Sequence, residues 1–415
     1  VGGLDVPDVA AKISGMNVLV YTSLWPNAER PNFAVFVQHR AAALARQPGV
    51  RARVVAPIPY FPNQLQFSFV PGHWLRDSRL PARETIAGLD TFHPRHLVTP
   101  KLGMSFYARW MASGTEALVR RLHAEQAIDV IDAHYAYPDG AAAVRLGERL
   151  GVPVIVTARG TDINLFSRMP LIRPRIRRAL KRAVGVIAVS DALKLRMIEL
   201  GIEAEKIAVI RNGIDGDLFY RRDRAAARRA LGLDPAARIA LTVSALAPVK
   251  GVARLIEAMG LMPDERAALY VIGDGPEKAS LQTRIVSLGL SDRVFLLGAR
   301  PQRELAEWYA AADVFCLASH REGCPNVVIE SLACGLPVVA PDVGGITELV
   351  LAGRDGRIVA EPTARAFAIE IQQAFEIEWD AEAIAARGGA RSWRDVGSDV
   401  LRYFVERGVS RSAAN

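Results

Sequence analysis

Apolar residues gather in short dense runs along this chain, with longer stretches of mixed character between them. The runs fall at 17–22 (NVLVYT), 53–56, 129–134 (DVIDAH), 152–157 (VPVIVT), 184–190 (VGVIAVS), 206–211 (KIAVIR), 239–244 (IALTVS), 268–273, 294–297, 314–317 and 338–340. A short run without alternation marks a strand covered on both faces, as in a parallel sheet. Several intervening segments repeat at helical spacing, among them one around 33–46. The clearest is 326–334, where Val328, Ile329, Leu332 and Ala333 share a face. Pro325 suits the start of that helix, because its missing N–H would have no partner there. Gly335 and Pro337 then stop it. Strands alternating with helices predict an α/β chain built on parallel sheets.

At 415 residues the chain exceeds one ordinary core, which predicts two domains. The pattern places a disordered lead or tag remnant at 1–15 and a first domain at 16–220. A charged linker region follows at 221–235, then a second domain at 236–388 and a terminal segment at 389–415. Three cysteines, without metal-ligand spacing to histidines, exclude a disulfide framework and imply a reducing compartment. No apolar run approaches the roughly 18 residues of a membrane span. The net charge of +8 favours anionic partners without naming one.

Part of that charge is local. Residues 168–182 (RMPLIRPRIRRALKR) hold seven basic residues and no acid, with apolar residues at roughly helical spacing. Such a segment can lie on an anionic membrane surface through Arg173, Arg175, Arg177, Arg178, Lys181 and Arg182, or be a solvated helix face. Nucleic acid is not expected as a partner, since no nucleic-acid-binding module surrounds the segment. Residues 57–71 are rich in proline and aromatics and read as a surface loop. Trp74 and Tyr107 are candidate sugar or lipid platforms, or simply packed aromatics.

Ligands of open α/β sheets bind beyond the carboxyl ends of strands, so the residues there matter most. They include His134, Arg159 and Asp162, then Ser244 and Lys250, then Gly273-Asp274-Gly275, then Ala299-Arg300. After the run at 314–317 comes Glu322-Gly323-Cys324-Pro325-Asn326-Val327, with Glu330 one turn into the helix. The first N–H groups of that helix can face an anion or sugar hydroxyls. A carboxylate one turn deeper can accept both hydroxyls of a ribose diol.

The stretch EGCPNVVIESLACGLPVVA, with seven residues between Glu322 and Glu330, resembles the E-x7-E signature of family-four retaining glycosyltransferases. The resemblance extends in order from Asn17 to about Phe404. It includes Asn212-Gly213-Ile214-Asp215, Lys250-Gly251, the Gly273-Asp274-Gly275-Pro276 turn, Gly344-Gly345-Ile346-Thr347-Glu348 and Ser392-Trp393-Arg394-Asp395-Val396. It implies the GT-B fold: two Rossmann-like domains facing across a cleft, with a C-terminal helix crossing back to the first. It implies a nucleotide-sugar donor, UDP- or GDP-linked, and a saccharide or lipid-linked acceptor. The setting it implies is bacterial surface-polysaccharide or glycolipid synthesis, cytoplasmic and peripheral on the inner face of the membrane.

The same resemblance assigns roles. Lys250 contacts the leaving diphosphate, Glu322 the donor sugar and Glu330 the ribose, while His134 lies near the reacting centre. Ser244, Gly273, Asp274, Gly275, Ala299, Arg300 and 323–327 line the donor site. Asn27, Asn32, Arg159 and Asp162 lie on the acceptor side. No cofactor and no metal are expected. Two departures stand out. Ala245 replaces an arginine usual in the family, which Arg159, Arg300 or Arg321 could compensate, and Ala28 and Ala34 stand where a glycine is frequent. Three other activities stay open: glycoside hydrolase, nucleotide-sugar 2-epimerase, and an impaired nucleotide-sugar-binding protein.

Overall fold

The computed structural model describes residues 15–60, 77, 79–99 and 103–411. The lead expected before residue 15, Trp74, and most of the 57–71 loop lie outside the described residues. The chain forms two compact units, Val1–Asn212 with Trp393–Asn415, and Gly213–Ser392.

The first unit contains strands β1 (Met16–Tyr21), β2 (Val50–Val55), β3 (Ile58–Tyr60), β4 (Arg83–Ile86), β5 (Leu89–Phe92), β6 (Arg95–Leu97), β7 (Val130–His134), β8 (Val154–Ala158), β9 (Gly185–Ala188) and β10 (Ile207–Val209). Its main sheet has the order β10-β9-β8-β7-β1-β2-β5-β4, and β3 pairs with β6 separately. All neighbours in the main sheet are parallel except β4 and β5. Every residue of β7, β8 and β9 is buried, the polar Asp132, His134 and Thr157 included. The chain winds outward in opposite directions from β1 and β7. That makes their carboxyl ends a topological switch point, where such sheets bind ligands.

The terminal helix Trp393–Glu406 belongs to this first unit. It packs on helix Val35–Ala45 so closely that a Cβ on Gly397 would sit 2.6 Å from the Ala43 carbonyl oxygen. Trp393 stacks on His39 with ring centroids 5.5 Å apart. The Tyr403 hydroxyl accepts from Val186 N at 3.0 Å and donates to Lys206 O at 2.6 Å, pinning the helix to β9 and β10.

The second unit has β11 (Arg238–Val243), β12 (Ala267–Ile272), β13 (Val294–Gly298), β14 (Val314–Cys316), β15 (Val338–Pro341) and β16 (Gly356–Val359). They form one parallel sheet in the order β13-β12-β11-β14-β15-β16, with its switch point between β11 and β14. Alternate residues feed two cores. Ile239, Leu241, Val243 and Phe315 face one side, and Ala240, Val314, Cys316 and Val339 the other. The segment expected as a linker, 221–235, is docked structure within this unit. Asp223 caps helix Arg224–Leu231, and Arg228 donates to Ala311 O at 2.9 Å and to Asp313 at 2.6 Å. Its charges read as a linker in the sequence because their partners lie some eighty residues away.

Candidate active site

In the second unit, the loops leaving β11, β12, β14 and β15 interlock at the carboxyl edge of the sheet. Gly273 has φ 147°, and a Cβ there would meet Ser244 O at 1.8 Å; Gly344 has φ 60°, and a Cβ there would meet Glu322 O at 2.1 Å. Both positions therefore need glycine twice over, for backbone conformation and for space. Leu246 N donates to Asp274 O at 2.9 Å, His320 N to Val249 O at 2.8 Å, and Gly345 N to Gly323 O at 3.1 Å. The loops form one hydrogen-bonded rim.

On this rim Lys250 Nζ donates to Glu322 Oε1 at 2.7 Å. The lysine side chain is 27% exposed and the glutamate 9%. An incoming anion can therefore reach the ammonium from one side while the carboxylate stays fixed behind it. Helix Asn326–Ala333 starts beside them with Pro325 as its N-cap, one position earlier than a first-turn proline would be, and no side chain caps it. Its amino end adds a partial positive charge to the lysine's.

Glu330 lies in that helix, 6% exposed. Its Oε2 accepts from the Tyr309 hydroxyl at 2.9 Å. Burial pushes its carboxyl up to about 7, and the Tyr309 bond pulls the other way. Tyr309 comes from helix Gln302–Ala311 and is wedged between Phe219 and Phe315. Sequence reasoning missed it, because an aromatic in an apolar helix face reads as core.

It also missed Ser319. Ser244 Oγ and Ser319 Oγ are both buried without a protein hydrogen-bond partner. Leaving such a group unpaired costs about 1–3 kcal/mol, which a ligand or water at the rim can relieve. The available signal was a serine closing an apolar strand run. Gly323 and Pro325 are buried; Cys324, Asn326 and Val327 are half-buried; Ala245, Ala299 and Arg300 are exposed. Arg300 faces Glu304 at 3.6 Å. Asp274 accepts from Gly275 N at 2.8 Å, and this bond, with Lys278 beside it, holds its carboxyl below the ordinary range.

At the switch point of the first unit, His134 closes β7 but is 0% exposed. Its Nδ1 accepts from Arg159 Nη2 at 2.5 Å, which places the ring proton on Nε2. That nitrogen lies 3.2 Å from Asp132 Oδ2, off the line of a good hydrogen bond. Arg40, also buried, donates to Thr157 Oγ1 at 2.6 Å and to Asp132 at 3.3 Å. Burial lowers His134 to about 3, against the pull of Asp132. Burial opposes the ionisation of Asp132, but the Arg40 guanidinium outweighs it and holds the carboxyl at about 2. The result is a neutral imidazole that orients Arg159, with the Arg159 guanidinium also 3.3 Å from Asn212 Oδ1.

Asp162 is fully buried and accepts from Ala136 N at 2.7 Å and from Gly160 N at 2.9 Å, tying the loops after β7 and β8 together. Asp139, unnoticed in the sequence, bonds both Ser23 N and Ser23 Oγ and joins the β1 loop to the β7 loop. Burial raises its carboxyl to about 7. Asn27 is buried and turns its own loop, with Oδ1 accepting from Glu29 N at 3.0 Å and Arg30 N at 2.9 Å; Asn32 is exposed. Tyr107 donates to Thr99 O at 2.6 Å.

The basic segment is helix Arg173–Arg182. It buries Ile176, Ala179 and Leu180 and exposes Arg173, Arg177, Arg178, Lys181 and Arg182, with Arg175 half-buried. Among the described residues, no cluster of histidine, cysteine, aspartate and glutamate could hold a metal ion. No described helix is long and apolar enough to cross a membrane.

Comparison with known proteins places these loops in a class. Residues 33–218 match the family model described as Glycosyltransferase Family 4, and residues 223–391 the one described as Glycosyl transferases group 1. The D-inositol 3-phosphate glycosyltransferase of Thermobispora bispora is 33% identical over 306 residues, 69% of this chain and 68% of that protein. The putative teichuronic acid biosynthesis glycosyltransferase TuaC of Bacillus subtilis is 29% identical over 84% of this chain and 86% of its own length. Other D-inositol 3-phosphate glycosyltransferases match over little more than half of theirs. Among solved structures, Anabaena HepE in complex with UDP superposes with a TM-score of 0.71 at 20% identity, covering 94% of this chain and 100% of that one.

The chain belongs to glycosyltransferase family 4. It has the GT-B fold and is a glycosyltransferase.

Proposed function

We propose that the transfer is retaining and needs no metal ion. The donor is UDP- or GDP-linked, and the acceptor is a hydroxyl of a saccharide or lipid-linked substrate in surface-polysaccharide or glycolipid synthesis. The observation that carries this reading is the Lys250–Glu322 pair at 2.7 Å beside the uncapped start of helix Asn326–Ala333. Departure of a nucleoside diphosphate leaves growing negative charge on its outer phosphate. Preorganised positive groups at that point stabilise the transition state most. Lys250 and the helix amino end are such groups.

In this reading the bond from the anomeric carbon to the diphosphate breaks as the acceptor oxygen approaches from the same face. The acceptor proton passes to the leaving phosphate oxygen, so no protein nucleophile is required. Glu322 holds a donor-sugar hydroxyl beside the ammonium of Lys250. Glu330 accepts from the ribose, and Ser244 and Ser319 find partners in the ligand. Gly273, Asp274, Gly275, 323–327, Ala299 and Arg300 complete the donor side. Arg159, oriented by His134, is the acceptor-side candidate that this reading takes from the first unit. The likeness to TuaC, described as a putative teichuronic acid biosynthesis glycosyltransferase, supports a transfer of this biosynthetic kind.

Helix Arg173–Arg182 holds the enzyme to an anionic membrane as a peripheral protein, each basic residue adding about 1 kcal/mol near the surface. The test of the chemistry is the product. Proton NMR of the glycoside formed in excess EDTA should show the donor's anomeric configuration. An inverted product, or no product until a divalent ion is restored, would overturn the reading.

A further inference from the structure

Three helices of the first unit, Tyr107–Glu125, Ala141–Leu150 and Arg173–Arg182, line a surface groove of about 100 Å³. That is space for roughly three waters, the scale of one phosphate group. Arg109, Arg145, Arg175, Arg178 and Arg182 line it, with Glu148 the single acid among them. Arg182 engages Glu148. Among the described residues no carboxylate pairs with any of the other four arginines. Guanidinium groups crowded into so small a groove repel one another, and an anion held between them reverses that repulsion. The floor is Ala108, Val144 and Ala179, each 5% exposed or less, so a ligand can descend below the arginine heads. Ser105, Arg109, Ala141 and Arg175 lie in or next to the first turn of their helices, where the partial charge is positive.

Large apolar side chains stand exposed beside the arginines. Phe106, 51% exposed, follows Ser105 of the lining. Leu171 is 68% exposed, and its carbonyl accepts from Arg175 Nη1. Guanidinium groups around a small groove, flanked by apolar side chains turned to the surface, match a phosphate with hydrocarbon attached.

We propose that this groove binds the phosphate of an anionic membrane lipid, with Phe106 and Leu171 entering the acyl region beside it. The inference rests on the peripheral-membrane reading above and narrows it from a charged helix face to one headgroup site, two of whose arginines, Arg109 and Arg145, lie outside the basic segment.

The test is flotation of the full chain with phosphatidylcholine vesicles containing phosphatidylglycerol, using charge-conserving variants. Arginine reaches phosphate with a planar two-pronged fork that lysine lacks. The exposed pair Arg109→Lys with Arg145→Lys should bind roughly fivefold more weakly or worse. Arg51→Lys with Arg196→Lys, exposed on other elements of the first unit, should bind as wild type. Equal binding by both double variants and wild type overturns the site and leaves the membrane reading standing. No flotation of wild type overturns both. A parallel calorimetric titration with inorganic pyrophosphate separates the sources. Saturable pyrophosphate binding that displaces the protein from vesicles would assign the groove to a soluble phosphate and overturn the lipid assignment; no such displacement is expected.

Discussion

Glu330→Gln should stabilise the second unit and remove part of its pH dependence. The Glu330 carboxyl rises from its ordinary 4.5 to about 7, chiefly through burial. At about 1.4 kcal/mol per pH unit, that rise is worth about 3 kcal/mol. The sign follows from linkage. The native state holds this proton more tightly than the unfolded chain does. Its contribution is therefore complete below about pH 4.5 and is lost as pH rises through 7. Glutamine keeps an oxygen for the Tyr309 hydroxyl and has no charge to bury. The unit Gly213–Ser392 is of a size in which 1 kcal/mol moves Tm by about 2–4 °C. Scanning calorimetry at pH 8 should find its transition about 6–12 °C higher in the variant, and nearly unmoved at pH 4.5. A bound ribose that donates to the carboxylate should release a proton at pH 6. The binding heat of wild type, but not of the variant, should then depend on the ionisation enthalpy of the buffer. A variant that melts at or below wild type at pH 8 refutes the reasoning.

Four other perturbations follow from the same structure. Asp132→Asn strips the counter-charge from buried Arg40 and should cost about 3–5 kcal/mol, read as a lowered urea midpoint; an unchanged midpoint contradicts the network. Ala34 holds φ 52° at the head of helix Val35–Ala45, a conformation that costs a non-glycine residue about 1–2 kcal/mol. Ala34→Gly should raise Tm by a few degrees, and a fall would show that the methyl group packs usefully. Gly273→Ala drives a Cβ into Ser244 O and should abolish nucleotide binding while the first unit melts as before; retained binding would mean that the rim can open. Asp139 titrates near 7 while joining the β1 and β7 loops, so Asp139→Asn should stabilise the first unit at pH 8 and change it little at pH 4, by thermal melting.

The strands were legible because β7, β8 and β11 are short runs dominated by apolar residues without alternation, which short-range pattern identifies directly. The helix Asn326–Ala333 was legible from its proline, its apolar face and its glycine stop. Glycine at 273 and 344 could be read as a turn, but not as a contact, since Ser244 O and Glu322 O arrive from distant loops. His134 was legible as a strand-end residue. Its complete burial was not, because Arg40 and Arg159 reach it from separate elements. Tyr309, Ser319 and Asp139 escaped for the same reason: their chemistry depends on what lies opposite, and periodicity reports only which way a residue faces. The docking of segment 221–235 was not legible, because most of its charges are exposed and the partners of the buried Arg228, Ala311 and Asp313, lie some eighty residues away.

The central claim is a sugar-nucleotide site built on Lys250, Glu322 and Glu330. Calorimetric titration of UDP, GDP and ADP into wild type, Lys250→Ala and Glu330→Ala tests it most directly. One nucleotide should bind wild type selectively, and both variants should bind it about tenfold more weakly or worse, the loss expected for one charge-assisted bond. No binding by wild type, or equal binding by all three proteins, would contradict the account.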